Sequence, residues 1–369
     1  MEYKKYKLGE IASFTQGKQV NINEQFFVKK EGMKRFVRIV DYTNSNEPIR
    51  YVKNFGKRYY VSSDEVAMIR YGSQTAGMVV LGKDGIIANN LFKISINNEI
   101  ALNKYIFYFL SQKFIFNYLR KSQSSSTMPA ISFNIMNNLE IYIPNKECQR
   151  KIVKILSDID KNILLNNEIN NNLYEVGIEL LKKDFTIEKE KKSLVQVIKF
   201  VKGKKPKYII ANKQEGYEKY LTIACLNGQE LNYADTTKMI MSNNDLLMVM
   251  DGASSGEVYY GGKGIVGSTL SRIDCIDNNY ISEFIFFVLK YYKDLIKSKN
   301  TGSAIPHTDK VFVGSLEIPK FDIETQEKYK VILSKIQHNQ NKNKTLKQLR
   351  DTLLTKLMNG EINLDNIEF

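Results

Sequence analysis

Gln149-Arg-Lys-Ile-Val-Lys-Ile-Leu-Ser-Asp-Ile159 returns 177 residues later as Gln326-Glu-Lys-Tyr-Lys-Val-Ile-Leu-Ser-Lys-Ile336. Working outward, Pro129, Leu139, Glu140 and Ile141 fall on Pro306, Leu316, Glu317 and Ile318 at the same offset. Tyr105-Ile-Phe-Tyr-Phe-Leu110 falls on Phe284-Ile-Phe-Phe-Val-Leu289 at 179, as do Gly77, Gly85, Ile86 and Leu91 on Gly256, Gly264, Ile265 and Leu270. Ser62 and Gly72 match Ser242 and Gly252 at 180; Leu8, Ile11, Phe14, Gly17 and Lys18 match Leu194, Val197, Phe200, Gly203 and Lys204 at 186. An offset that only falls along the chain is what loop deletions in one copy produce, so the chain is a tandem duplication.

Each copy follows one plan. Short apolar runs between Gly, Asn and Ser turns (Val66–Tyr71, Met78–Leu81, Leu246–Met250) read as strands of a mixed sheet or partial barrel. One amphipathic helix is expected near Asn103–Lys121 and again near Ser282–Lys299, then a polar loop and a short strand ending at Pro144 or Pro319. A long helix follows in each copy, about Glu147–Phe185 and about Ile323–Asn359, interrupted only by Gly177. The fold class is α+β. The expected layout is a first globular module at 1–146, a helical spacer at 147–187, a second module at 188–321, and a second spacer with a short tail at 322–369.

In the first long helix Ile152, Leu156, Ile159, Ile163, Asn166, Asn170, Leu173, Gly177 and Leu180 step by four and three. In the second, Ile332, Ile336, Asn339, Asn343, Leu346, Arg350, Leu353 and Leu357 do the same. That is a coiled-coil seam, with the asparagines fixing register. Two copies related by a two-fold axis across the helices must run in opposite directions, so antiparallel pairing is predicted. The alternative is that each helix folds back on its own module.

The 369 residues suffice for two cores, with 43% apolar residues, 22 Tyr and 19 Phe. The formal net charge is +14 and both halves of the chain are basic, which fits a polyanionic partner and equally a lysine-rich soluble protein. No apolar run is long enough to span a bilayer, and Met1 to Leu8 lack a signal-peptide core. Cys148, Cys225 and Cys275 are scattered and odd in number, so disulfides and zinc clusters are not expected, and the cytoplasm is.

Catalytic motifs are scarce. Gly262-Lys-Gly264-Ile-Val-Gly267 fits a dinucleotide string, but its counterpart Gly82-Lys-Asp-Gly85-Ile-Ile-Ala88 does not, and both read better as glycine turns. There is no phosphate loop and no Asn/Asp-Pro-Pro-aromatic string of an amino-methyltransferase. Only His307 and His338 could serve a histidine site, and His307 stands where the first copy has Ala130. No metal site and no catalytic residue is expected. What repeats instead suits contact with DNA: Ser73, Gln74 and Thr75 between glycines, matched by Ser254 and Ser255. Ser124 and Ser125 after Lys121 are matched by Lys299 and Thr301, and Arg35, Arg38, Arg70, Lys204, Lys205 and Lys207 supply basic groups. Taken singly, each of these is also an ordinary surface residue.

Three stretches carry a resemblance to a known family. They are Ile143-Pro144 through Gln149 and Ile152 to Ile159-Asp160, then Leu349-Arg-Asp-Thr-Leu353-Leu-Thr-Lys-Leu357-Met-Asn-Gly360-Glu-Ile362, and Asp245-Leu-Leu-Met-Val-Met-Asp-Gly252. Together they resemble the specificity subunits of type I restriction-modification systems. The second copy departs from that pattern at Glu324-Thr-Gln326 and in its acidic tail. The resemblance implies a non-catalytic subunit in which each module reads half of a split double-stranded DNA target. The helix pair would set the spacing and dock two methyltransferase subunits, with motor-nuclease subunits joining for cleavage. S-adenosylmethionine and ATP would bind those partners, not this chain. A specificity subunit for a fused methyltransferase-nuclease partner, a free-standing enzyme, and a coiled-coil scaffold without a DNA role remain as alternatives.

Overall fold

The computed structural model describes residues 3–44, 47–122, 130–188, 190–302 and 305–364. It divides into two compact units, 1–164 with 343–369 and 165–342, so each long helix contributes one half to each unit.

In the first unit four antiparallel strands lie in the order Ala12–Gln16, Leu91–Ile96, Val66–Ile69, Val79–Leu81. A second sheet runs Arg50–Lys53, Met33–Val37, Gly85–Ile87, Tyr60–Val61, with one parallel pairing between Met33–Val37 and Gly85–Ile87. Val66–Ile69 is buried throughout because both faces are covered. Val66 and Met68 enter a core shared with the helices, while Ala67 and Ile69 enter a core shared with the second sheet. A period-two strand between two cores reads as an unbroken apolar run.

The second unit repeats this strand for strand. Its sheets run Ile198–Lys202, Leu270–Cys275, Leu246–Val249, Val258–Tyr260 and Tyr233–Asp235, Tyr217–Leu221, Lys263–Val266, Met241–Asn243, again with one parallel pairing. Leu246 and Met248 face the helical core, Leu247 and Val249 the other.

The single helix expected in each copy is in fact two. Asn103–Ser111 and Lys113–Lys121 are separated by Gln112, which takes an extended backbone and turns its amide inward to donate to the Phe109 carbonyl at 3.1 Å. Ser282–Tyr291 and Lys293–Ser298 are separated at Tyr292.

The long helices span Lys146–Ile187 and Ile323–Met358. Their repeated glutamines explain why the opening stretch recurs. Gln149 is fully buried; its carbonyl accepts from the Leu102 amide at 2.8 Å and its amide donates to the carbonyls of Ile100 and Pro144. Gln326 does the same with the Ile281 amide at 3.0 Å and the carbonyls of Asn279 and Phe321. Each glutamine thus ties the start of a module helix to the root of a long helix.

In each unit the helix halves run antiparallel. In the first, Arg350 meets Asp160 at 2.9 Å and the Asn343 amide donates to the Ile163 carbonyl at 3.3 Å. In the second, the Asn339 amide donates to Asn170 at 2.9 Å, while Asp184 accepts from the Tyr329 hydroxyl at 2.6 Å and from Lys328. Partner numbers fall as helix numbers rise, as antiparallel packing requires. Ile152, Leu156, Ile159, Ile163, Asn166, Asn170, Ile332, Ile336, Asn343 and Leu357 are buried; Leu173, Leu180, Leu346 and Leu353 are half-buried. The helices also dock on the modules: Ile152, Leu156, Leu354 and Leu357 share a core with Tyr105 and Phe92, and Leu181, Ile332 and Ile336 share one with Phe284 and Phe287. Pairing and packing onto a module therefore occur together.

Candidate nucleic-acid interface

Strand Val66–Ile69 runs into a turn that begins at Arg70. The Arg70 amide donates to Asn90 and its carbonyl accepts from Ile131, 2.9 and 3.0 Å away. Tyr71 bridges to Ala130. Gly72, at φ +124°, then reverses the chain, a conformation that glycine adopts without penalty from a Cβ. The Gly77 amide returns to the Ile69 carbonyl at 2.9 Å.

The second unit builds the same turn. The Met250 amide donates to Thr269 and its carbonyl accepts from Thr308, both at 2.8 Å. Asp251 bridges to His307, Gly252 lies at φ +102°, and the Gly256 amide returns to the Val249 carbonyl at 2.9 Å. The entering strands are anchored alike: the amides of Gly17 and Gly203 donate to Leu91 and Leu270, both at 2.9 Å.

The side chains on this shared backbone differ. In the first unit the Arg70 guanidinium lies over the rings of Phe133 and Tyr71, 4.9 and 5.2 Å from their centroids, and donates to Gln16. The Gln16 amide in turn donates to the Asn89 carbonyl. In the second unit Asp251 holds His307 Nδ1 at 2.7 Å, and Lys202 lies 3.6 Å from the other carboxylate oxygen.

The remaining expected contact residues fall into groups. Ser73 and Gln74 are exposed on the first turn, where the Ser73 carbonyl accepts from Arg120 at 2.8 Å; Thr75 is half-buried. Lys121 is exposed at a helix end, and Ser124 and Ser125 lie outside the described residues. Lys205, Lys207, Lys299 and Thr301 are exposed, Ser254 is half-buried, and Lys204 is exposed with its ammonium donating to the Lys238 carbonyl. Three residues have structural partners. Ser255 is fully buried, its hydroxyl 2.7 Å from the Gly252 carbonyl and 2.8 Å from that of Pro306, so it staples the turn. Arg38 bonds Asp41, Glu47 and the Pro48 carbonyl, and Arg35 bonds Asp41 at 2.7 Å. Asp41, on the short helix Val40–Thr43, is buried between the two guanidiniums, and Arg35 is on strand Met33–Val37 of the sheet that does not carry the turn. Gln16, Asp251 and His307 join this geometry and were not among the expected contact residues. Their signal was that His307 replaces Ala130 and Asp251 replaces Tyr71 within otherwise matching stretches.

Among the described residues no three His, Cys, Asp or Glu side chains are grouped to hold a metal ion, and no helix is long and apolar enough to cross a membrane. The duplicated turn has its counterpart in sequence comparison: the family described as "Type I restriction modification DNA specificity domain" matches residues 1–175 and again 186–351. The chain belongs to this family. Its two units each carry one DNA specificity domain, and the long helices join them. The type I restriction enzyme MjaVIII specificity subunit of Methanocaldococcus jannaschii is 34% identical over 140 residues, which are 37% of this chain and 33% of that relative. The MjaIX specificity subunit of the same organism is 22% identical over 337 residues, 79% of this chain and 76% of the relative. The fold is shared with the S subunit of a type I restriction-modification system from M. genitalium, at a TM-score of 0.55 and 18% identity over 97% of this chain and 96% of that one.

Proposed function

We propose that this chain is a specificity subunit without chemistry of its own, each unit reading one half of a bipartite double-stranded DNA target. The observation that carries this reading is one glycine-hinged turn built twice on the same backbone hydrogen bonds with different side chains. A duplicated frame with divergent tips is what two half-sites of different sequence require. Exposed Ser73, Gln74, Lys121, Lys205, Lys207, Lys299 and Thr301 serve phosphate and groove contacts around the turns. Arg35, Arg38 and Ser255 support the frame.

The antiparallel helices act as the spacer between half-sites, since half-site separation follows protein geometry. The first long helix leaves Leu165, Ile169 and Val176 exposed beside its seam, an apolar strip suited to a helix of a methyltransferase subunit. Motor-nuclease subunits join that assembly. S-adenosylmethionine and ATP bind the partners, and the complex works in the cytoplasm.

The test is methylome sequencing of a host carrying this chain with its partner subunits. A methylated adenine motif in two parts separated by unspecified bases is expected. A continuous motif, or tight binding of S-adenosylmethionine by the isolated chain, overturns the reading.

A further inference from the structure

Because the two turns share one backbone, what distinguishes their targets must lie where matched positions hold different side chains. Four such positions converge. Gln16, Arg70, Tyr71 and Ala130 in the first unit stand where Lys202, Met250, Asp251 and His307 stand in the second. The first set presents a hydrogen-bond donor and the second an acceptor.

We propose that these positions read bases: Arg70 a guanine in one half-site and Asp251 a cytosine in the other. This rests on the reading of the chain as a DNA specificity subunit. Arg70 is fixed as a flat donor by the rings of Phe133 and Tyr71, and among the described residues its guanidinium donates only to Gln16. A guanidinium held in plane matches O6 and N7 of guanine, and holding it before DNA arrives lowers the ordering cost of binding. Asp251 is 27% exposed in its side chain. A carboxylate accepts at about four sites, and His307 and Lys202 occupy one side of each oxygen. Its remaining lone pairs accept from the N4 amine of cytosine, the donor a carboxylate reads in the major groove. An anion is costly beside a phosphate backbone; the Lys202 ammonium offsets that cost, and His307 orients the carboxylate through its hydrogen bond. His307 is therefore a positioning residue, its backbone locked by two hydrogen bonds with Thr301 at 2.7 and 2.9 Å.

The test uses the intact complex. Methylomes are read from hosts carrying the wild-type chain, Asp251→Asn, Asp251→Ala or Arg70→Met, and purified complexes are titrated with oligonucleotides varied at each position of both half-sites. Either Asp251 variant is expected to lower discrimination at one base pair of one half-site by about tenfold or more. Arg70→Met should do so in the other half-site only. The untouched half-site in the same molecule reports that the chain has folded and assembled, and Asp251→Asn keeps the shape of the side chain. Discrimination unchanged in both Asp251 variants, or altered in both half-sites together, overturns the assignment while leaving the bipartite reading in place. A wild-type chain that yields no bipartite motif overturns both.

Discussion

Gly177 sits inside a 42-residue helix, where glycine costs about 1 kcal/mol relative to alanine. On propensity alone, Gly177→Ala should therefore stabilise the second unit. The structure argues the opposite. A Cβ at position 177 would lie 2.2 Å from Cε1 and 2.7 Å from Cδ1 of Phe287. The ring must then retreat by more than about 1 Å to reach van der Waals distance. It has nowhere to go: Phe287 is fully buried, with the rings of Phe286 and Tyr329 each 5.4 Å away and that of Tyr174 at 6.5 Å. Overpacking of this kind costs roughly 1–3 kcal/mol. With overlap this deep the upper end applies, leaving a net loss of about 2 kcal/mol after the helix-propensity gain. For a unit of this size that lowers Tm by roughly 4–8 °C. In a Phe287→Ala background the overlapping ring is gone, and the same Gly177→Ala change should raise Tm by a few degrees. Thermal unfolding of the four proteins of this cycle measures the coupling directly. A Tm that rises on Gly177→Ala in the wild-type background would falsify the packing argument.

Asp184→Ala removes the shared acceptor of buried Tyr329 and of Lys328; because Lys328 is about one-third exposed, the expected loss is about 2–3 kcal/mol in denaturant unfolding, with Asp184→Asn losing less. Arg38→Ala should lower stability yet leave the salt dependence of DNA binding unchanged, whereas Lys205→Ala and Lys207→Ala should each flatten the slope of log K against log salt by about 1; the reverse pattern would transfer Arg38 to the interface. Inserting seven residues into both long helices should widen the gap between half-sites by roughly three base pairs while keeping the bases of each, and altered half-site bases in the methylome would count against a spacer role. Burial, with Glu283 and Asp274 nearby, pushes the Cys275 thiol up to about 11, so at pH 8 only about one molecule in a thousand carries the thiolate; alkylation as fast as that of an exposed thiol would contradict that burial.

Much of the frame was legible because periodicity and repetition are local signals. The four-and-three stepping of Ile152 to Leu180 marks a buried seam, and the falling offset marks two modules. Gln149 and Gln326 recur because each must satisfy a backbone amide and at least two carbonyls where a module helix meets a long one. What sequence could not separate is a polar side chain exposed at the turn from one that supports it. Ser254 and Ser255 are neighbours of the same type, yet Ser255 is sealed beneath the turn by the carbonyls of Gly252 and Pro306. Arg38 and Arg70 look alike on the page, yet Arg38 closes on Asp41 and Glu47 while Arg70 lies on aromatic rings. Asp251 and His307 are 56 residues apart and meet only because the polar loop bridges back to the turn. Nor does the sequence show why a glycine stands at 177; the reason is the Phe287 ring packed where its Cβ would be.

The seam's polar contacts depart from the sequence repeat that its apolar residues keep. Asp160 faces Arg350, but the residues 177 away from this pair are Gln337 and Leu173, which form no ion pair. Lys328 reaches Asp184, whereas its counterpart Lys151 reaches the Leu364 carbonyl. An apolar seam alone would let the first helix pair with a second copy of itself as readily as with its partner. Such pairing would set Asp160 against Leu173 in place of Arg350, leaving a carboxylate and a hydrogen-bonded Tyr108 hydroxyl without the guanidinium that neutralises them. Losing a partner of a half-buried charge costs more than the pair contributes, so the asymmetry disfavours the wrong pairing more than it stabilises the right one. The duplication thus supplies complementary apolar surfaces, and the later divergence of a few polar positions directs each helix to the other within one chain.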